Sequence, residues 1–337
     1  MTFIKMADYD IYIEKNMLNQ LPKMIEKIYA DRKLFVVTDQ HLFDLYHERL
    51  TDILKDYSVQ YVVIKPGEKS KSFDTYQLVI ETLIEKGIKR SDLIVAFGGG
   101  VVGDLTGFVA ATLYRGIPFI QVPTSLLAMV DSSIGGKVGI DLAYGKNLVG
   151  AFYQPKMVVI DPELLKSLPL RDYRNGLAEM IKAGLIGDKH LYHYLLEHDE
   201  VGEQEISQSI CVKRELVLLD PYDKKERMLL NFGHTFGHAI EKKHRYETYL
   251  HGEAISYGML IALEIGKSLG ETKDELYEEV KALLIKRGLV KEPLLHMDDY
   301  KDAIIHDKKM LSDGLHFVIV DKPGNAKIKV LRLEDLS

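Results

Sequence analysis

The sequence predicts an α/β first half built on a mostly parallel sheet, followed by a mainly α-helical second half. Two patterns carry this. Short apolar runs rich in β-branched residues recur early in the chain, at Leu34–Thr38, Val59–Ile64, Leu93–Phe97, Phe119–Pro123 and Met157–Ile160. Helical patterns such as Thr75–Lys86 separate them. Continuous apolar strands, rather than alternating ones, suit a sheet covered by helices on both faces. After about Leu170 long amphipathic segments follow one another: Arg174–Gly187, Glu203–Asp220, His234–Lys243, Gly252–Gly270 and Lys273–Arg287. Their apolar stripes predict helices packed on a core. A hairpin is expected at the end, His316–Val320 and Lys327–Leu331, turning at Pro323-Gly324-Asn325. Pro162 and Pro169 mark the change of character without a long linker. The expected domains are therefore 1–170 and 171–337, packed closely and sharing a cleft.

The chain has 337 residues, 46% hydrophobic and 28% charged, which allows two domains of ordinary size. A net charge of −6 gives no general attraction to nucleic acid or anionic membranes. With Cys211 as the single cysteine there is no internal disulfide and no thiolate metal cluster. Cys211 itself is expected to be a small buried apolar side chain. Lys5, Asp8, Asp10 and Glu14 interrupt the N-terminus, so no signal peptide is expected. No apolar run approaches the ~20 residues of a membrane helix. A cytoplasmic protein, binding neither nucleic acid nor membrane, is expected.

Gly98-Gly99-Gly100-Val101-Val102-Gly103-Asp104 follows an apolar strand and opens a helix pattern. Glycines there let the backbone approach a pyrophosphate, while helix N–H groups and the helix dipole favour its charge. The spacing is not G-x-G-x-x-G, so a tight strand-to-helix turn also accounts for it. Asp39, just after a strand, can accept from ribose hydroxyls, and Gly67-Glu68-Lys69-Ser70-Lys71 follows the next strand. Loops after successive strand ends open on one mouth of a Rossmann-like sheet, and a dinucleotide is the expected ligand.

Pro123-Thr124-Ser125 begins a polar loop that runs through Asp131, Ser132, Ser133, Gly135, Gly136 and Lys137 to Gly145-Lys146-Asn147. With Arg115 upstream, these residues suit an anionic, hydroxylated substrate. The Gly-x4-Gly-Lys-Ser/Thr spacing is absent, which excludes a P-loop triphosphatase.

Asn231-Phe232-Gly233-His234-Thr235-Phe236-Gly237-His238 and His251-Gly252-Glu253 bring three imidazoles close in sequence. His234 and His238, four apart, share a helix face, about 5–6 Å between Cβ atoms. Thr235 stands where a zincin would carry its general base, so metalloprotease chemistry is excluded. Glu179 and Lys182 share a face of another helix and can add a carboxylate and an ammonium. Two imidazoles and one carboxylate leave coordination positions open on Zn²⁺, as catalytic sites require. Spacing alone does not say which two histidines bind.

Taken together, these segments resemble the 3-dehydroquinate synthase family. The matching residues are Gly67-Glu-Lys-Ser-Lys71, Gly98-Gly-Gly-Val-Val-Gly-Asp104, Pro123–Lys137, Gly145-Lys-Asn147, Gly176–Lys182, Asn231–His238 and His251-Gly-Glu253. They run in order from about residue 35 to about residue 315. Val138-Gly139 replaces the more usual Thr-Ala, and Ser125 stands where Thr is commoner; neither removes a reactive group.

The resemblance implies a dehydroquinate synthase-like fold and a homodimer. It implies conversion of 3-deoxy-D-arabino-heptulosonate 7-phosphate to 3-dehydroquinate and phosphate. The steps would be transient NAD-dependent oxidation at C5, phosphate elimination, re-reduction, ring opening and aldol closure. The implied ligands of Zn²⁺, or of Co²⁺, are Glu179, His234 and His251, with His238 handling protons. NAD⁺ would contact Asp39, Glu68, Lys71, Gly99, Gly100, Val101, Asp104, Thr124 and Ser125, with Asp131, Lys137 and Lys146 also touching it. Substrate would be held by Asp131, Lys137, Lys146, Asn147, Lys182, Lys213, Arg227, Asn231, His238 and Lys309, or Lys308 in place of the last. Lys137, Asn147 and Arg115 join His238 as catalytic residues, Arg115 acting across the dimer. Two rivals stand beside this reading: a sister sugar-phosphate cyclase, and a metal-dependent polyol dehydrogenase, which the lysine-rich pocket disfavours.

Overall fold

A computed structural model describes residues 2–300 and 315–332. The chain forms two compact units, Met1–Leu168 and Pro169–Ser337.

The first unit is a seven-stranded sheet with helices between its strands. In chain order its elements are β1 (Thr2–Lys5), β2 (Asp10–Ile13), α1 (Leu21–Ile25), β3 (Lys33–Asp39), α2 (Gln40–Ile53), β4 (Ser58–Ile64), α3 (Phe73–Glu85), β5 (Leu93–Gly98), α4 (Gly100–Thr112), β6 (Phe119–Pro123), β7 (Lys137–Leu142), β8 (Gly145–Phe152) and β9 (Met157–Ile160). The sheet order is β1-β2-β9-β6-β5-β3-β4, parallel throughout except for β1 against β2. Every residue of central β5 is buried, as its unbroken apolar run predicts, whereas edge strand β4 is only partly covered. Phe35, Val37, Ile94, Val102, Leu105, Val109 and Phe119 form the core between β3, β5, β6 and α4.

The segment read as one polar loop is not all loop. Lys137–Leu142 and Gly145–Phe152 pair as an antiparallel hairpin, with Val138 opposite Ala151 and Ile140 opposite Val149. These four side chains pack on the core that contains Phe108 and Val109. Interspersed glycine, lysine and asparagine mask a period-two alternation that buries one face. The short β1 and β2, four residues each, also escaped the sequence reading.

The second unit holds α5 (Leu170–Ile186), α6 (Lys189–Glu197), α7 (Glu203–Leu219), α8 (His234–Lys243), α9 (His251–Ser268) and α10 (Asp274–Lys286). The expected hairpin follows as β10 (Leu315–Lys322) and β11 (Asn325–Leu331). Helix α6, not anticipated, starts at Asp188, whose carboxylate accepts from the N–H groups of His190 and Leu191. Cys211, expected to be buried, is half-buried on α7.

Glycine brings α8 and α9 into backbone contact. A Cβ on Gly258 would lie 2.0 Å from the carbonyl oxygen of Gly233, itself at φ +78° just before α8. At the start of α9, Gly252 packs on Asn175 of α5, and its N–H donates to Asn175 Oδ1. The N-terminal ends of α8 and α9 therefore meet the middle of α5. Among the described residues no helix is long and apolar enough to cross a membrane.

Candidate metal centre and cofactor cradle

Glu179 comes from α5, and His234 and His251 are the first residues of α8 and α9. Glu179 Oε1 lies 3.5 Å from His234 Nε2 and 3.4 Å from His251 Nε2. One donor atom from each residue falls within 4.8 Å of the others. Glu179 is 3% exposed, and its Oε1 is buried without a hydrogen-bond partner. A buried carboxylate oxygen left this way is unfavourable unless a cation completes it. The donor set therefore fits a divalent metal ion.

The ring nitrogens facing away from Glu179 are also placed. His234 Nδ1 is 3.2 Å from the carbonyl oxygen of Phe232, and His251 Nδ1 is 3.5 Å from Glu241 Oε1. Burial opposes charge on Glu179, but Lys182, His251 and His234 outweigh it and hold the carboxyl well below its ordinary range. Burial and the Lys182 ammonium drive His234 well below the usual imidazole range, which favours the neutral ring that a metal needs. Burial also works against charge on His251, yet the neighbouring carboxylates of Glu179 and Glu241 push it up to about 9.

His238 lies one turn after His234 on α8, exposed, its ring centroid 5.3 Å from that of His234. It falls in a different donor group, with Glu241 and His251. Lys182, Lys213 and Arg227 are buried cations of the same unit. Arg227 donates to the Pro221 carbonyl at 2.8 Å, and its loop is tied to Asp220. Asp220 Oδ2 accepts from the N–H groups of Lys224 at 2.7 Å, Lys225 at 2.6 Å and Arg227 at 3.3 Å. Asn231 is exposed and ends the short turn before α8. Lys308 and Lys309 lie outside the described residues.

In the first unit, β6, β5, β3 and β4 are adjacent and parallel, so the loops after Pro123, Gly98, Asp39 and Ile64 leave the same sheet edge. Gly99 caps α4, whose first N–H groups are free of side-chain caps. A Cβ on Gly99 would lie 3.3 Å from Ser125 Oγ, and one on Gly100 would lie 3.0 Å from Ser132 Oγ. Side chains there would fill the space that a pyrophosphate requires, so the turn fits a dinucleotide. Val101 follows in the first turn of α4, and Thr124 donates its N–H to the Gly98 carbonyl at 3.0 Å. Asp39 caps α2, accepting from Leu42 N–H at 3.0 Å.

Lys71, 4% exposed, organises the polar residues beside this turn. Its Nζ is 2.8 Å from Asp104 Oδ2, 3.8 Å from Glu68 and 3.9 Å from Asp141, and it donates to Asn147 Oδ1. Lys146 Nζ is 3.9 Å from Glu68. Burial pushes the Asp104 carboxyl up to about 6 in spite of Lys71. Asn147 has φ 55°, and its N–H donates to Asp141 Oδ1 at 2.7 Å. Asp131 sits on a π-helical turn, Ala128–Ser132, closed by Ser133 N–H on the Ala128 carbonyl. Lys137 is exposed at the start of β7. Arg115 is exposed on a turn where Tyr114 and Arg115 both take positive φ, 51° and 62°.

Three polar residues escaped the sequence reading: Asp141, Asp220 and Glu241. Each acts on a neighbour that sequence reasoning had chosen. The available signals were weak, Glu241 three residues after His238 and Asp220 before a proline.

The fold is that of the sugar phosphate cyclases, whose solved structures match it over nearly the whole chain. A solved 2-epi-5-epi-valiolone synthase from Streptomyces hygroscopicus subsp. jinggangensis, with NAD⁺ and Zn²⁺ bound, superposes with a TM-score of 0.88 at 25% identity, over 100% of this chain and 96% of its own. A 2-deoxy-scyllo-inosose synthase complexed with carbaglucose-6-phosphate, NAD⁺ and Co²⁺ gives 0.84 at 25% identity, over 99% and 98%. The chain belongs to the 3-dehydroquinate synthase family: the family's N-terminal region matches residues 61–175 and its C-terminal region residues 176–310. The 3-dehydroquinate synthase of Clostridium botulinum (strain Alaska E43 / Type E3) is 42% identical, over 98% of this chain and 97% of its own length.

Proposed function

We propose that this protein is a 3-dehydroquinate synthase, a carbon–oxygen lyase of the shikimate pathway that serves aromatic amino acid biosynthesis. It converts 3-deoxy-D-arabino-heptulosonate 7-phosphate to 3-dehydroquinate and phosphate. The observation that carries this reading is 42% identity to such an enzyme along nearly the whole chain, against 25% to the sister cyclases.

Glu179, His234 and His251 would hold Zn²⁺ or Co²⁺, and the Gly98–Gly100 turn with the start of α4 would hold NAD⁺. When bound, these groups supply Lewis acidity towards the substrate hydroxyls and reversible hydride acceptance. The protein's own residues bind, orient and move protons. In the first unit Asp39, Glu68, Lys71, Val101, Asp104, Thr124 and Ser125 would contact the cofactor, and Lys71 ties Asn147 to Asp104. Asp131, Lys137, Lys146 and Asn147 bind substrate polar groups, Asp131, Lys137 and Lys146 reaching the cofactor as well. In the second unit Lys182, Lys213 and Arg227 offset phosphate and carboxylate charge, which otherwise resists desolvation. Asn231 binds hydroxyls, and exposed His238 carries protons between substrate and solvent. Lys309 completes the substrate set. Arg115 acts across a homodimer, and the enzyme works in the cytoplasm, apart from nucleic acid and membranes.

The test incubates metal-loaded protein with the heptulosonate phosphate and substoichiometric NAD⁺. Many phosphates released per NAD⁺, with dehydroquinate formed and no NADH accumulating, is the expected result. No phosphate release, or one NADH per turnover, refutes the assignment. Sedimentation should give twice the chain mass.

A further inference from the structure

We infer that Glu241 is a positioning residue of the metal centre, its carboxylate accepting Nδ1–H of His251 so that Nε2 of that ring is presented beside Glu179. The inference rests on the reading that Glu179, His234 and His251 hold the metal. A neutral imidazole carries one N–H, so it can ligate through Nε2 only if its proton sits on Nδ1. Something must accept that proton and fix the ring plane.

For His234 the acceptor is the Phe232 carbonyl, 3.2 Å from Nδ1. For His251 no carbonyl plays this part among the described contacts; Glu241 Oε1 stands 3.5 Å from Nδ1, while Nε2 is 3.4 Å from Glu179 Oε1. Glu241 lies two turns after His234 on α8 and is 2% exposed. Carboxylates are rarely buried so completely unless paired. Its placement depends on the close α8–α9 contact at Gly258 and Gly233, so one packing feature sets both the ligand and its orienting group. Such outer carboxylates raise ligand basicity and fix the tautomer.

His238, Glu241 and His251 could instead hold a second cation. That arrangement needs a lone pair on His251 Nδ1, the opposite tautomer, so the two possibilities exclude each other at a neutral ring.

The experiment strips metal from the full-length wild type and from Glu241→Gln, Glu241→Ala and His251→Ala, then titrates each with Co²⁺. Visible d–d absorption and chelator competition are the readouts. The wild type should bind one ion per chain and His251→Ala should lose it. Glu241→Ala should bind about 10–100-fold more weakly with a changed spectrum. Glu241→Gln, whose amide oxygen still accepts, should recover part of the affinity and carries the test if Glu241→Ala does not fold. Unchanged affinity and spectrum in both Glu241 variants overturns the inference alone. Two ions per chain, one lost with Glu241, overturns it in favour of a second site. Equal binding by wild type and His251→Ala sinks the metal-site reading itself.

Discussion

Glu179 and Lys182, one turn apart on α5, form an ion pair at 2.5 Å with both side chains 3% exposed. The pair occupies Glu179 Oε2, and Oε1 is left facing the two imidazole Nε2 atoms. One carboxylate thus joins a buried ammonium to the proposed metal.

Glu179→Ala should release the metal and leave Lys182 buried without its nearest anion. Removing one member of a buried pair costs about 3–5 kcal/mol. The metal-free variant should therefore unfold at a clearly lower urea concentration than the metal-free wild type, and metal analysis should find no bound ion. Full stoichiometry at an unchanged midpoint contradicts the assignment.

Gly258→Ala tests the packing beneath the site. Its Cβ would lie 2.0 Å from the Gly233 carbonyl oxygen, so α8 or α9 has to shift. Overpacking of this kind costs about 1–3 kcal/mol. Because His234 and His251 start these two helices, metal affinity should fall along with the melting temperature. A variant that loses neither shows that the helices have room to part.

Asp104 gives a pH signature. Its folded-state pKa of about 6 lies above the model-compound carboxyl value of 3.8, so the folded chain binds this proton more tightly than the unfolded one. The resulting stability is present in full below about pH 4 and is lost as pH rises through about 6. A shift of this size corresponds to about 3 kcal/mol. Asp104→Asn should flatten the stability profile between these limits, read as the urea midpoint at several pH values without NAD⁺. An identical slope in both proteins contradicts the buried-charge account.

Asp220 gathers three backbone N–H groups and so sets the loop that carries Arg227. Asp220→Ala should leave the far-ultraviolet spectrum intact and raise KM by about tenfold, the size of one weakened charge-assisted contact at Arg227. The effect on kcat should be smaller. An unchanged KM means that Arg227 is held by other contacts.

The elements read most faithfully were those with strong periodicity. His234–Lys243 matches α8 residue for residue, and the apolar runs became β3, β4, β5, β6 and β9, although edge strand β4 is only partly buried. The hairpin of β7 and β8 was hidden because Gly139, Lys146, Asn147 and Gly150 read as loop, while its alternation has meaning only once α4 supplies a face to bury. Glu241, Asp220 and Asp141 were invisible for a related reason: each takes its role from a partner across a turn or on another helix.

By itself, then, the sequence determined the α/β and helical halves, the glycine turn and the residue types of the site, because propensity, periodicity and motif order are local. The motif resemblance implied Glu179, His234 and His251 as one set; only the tertiary structure decided how they meet, and that His238 groups with Glu241 and His251. That choice depends on how closely α8 approaches α9 at Gly258, a distance set by packing between segments far apart in the chain.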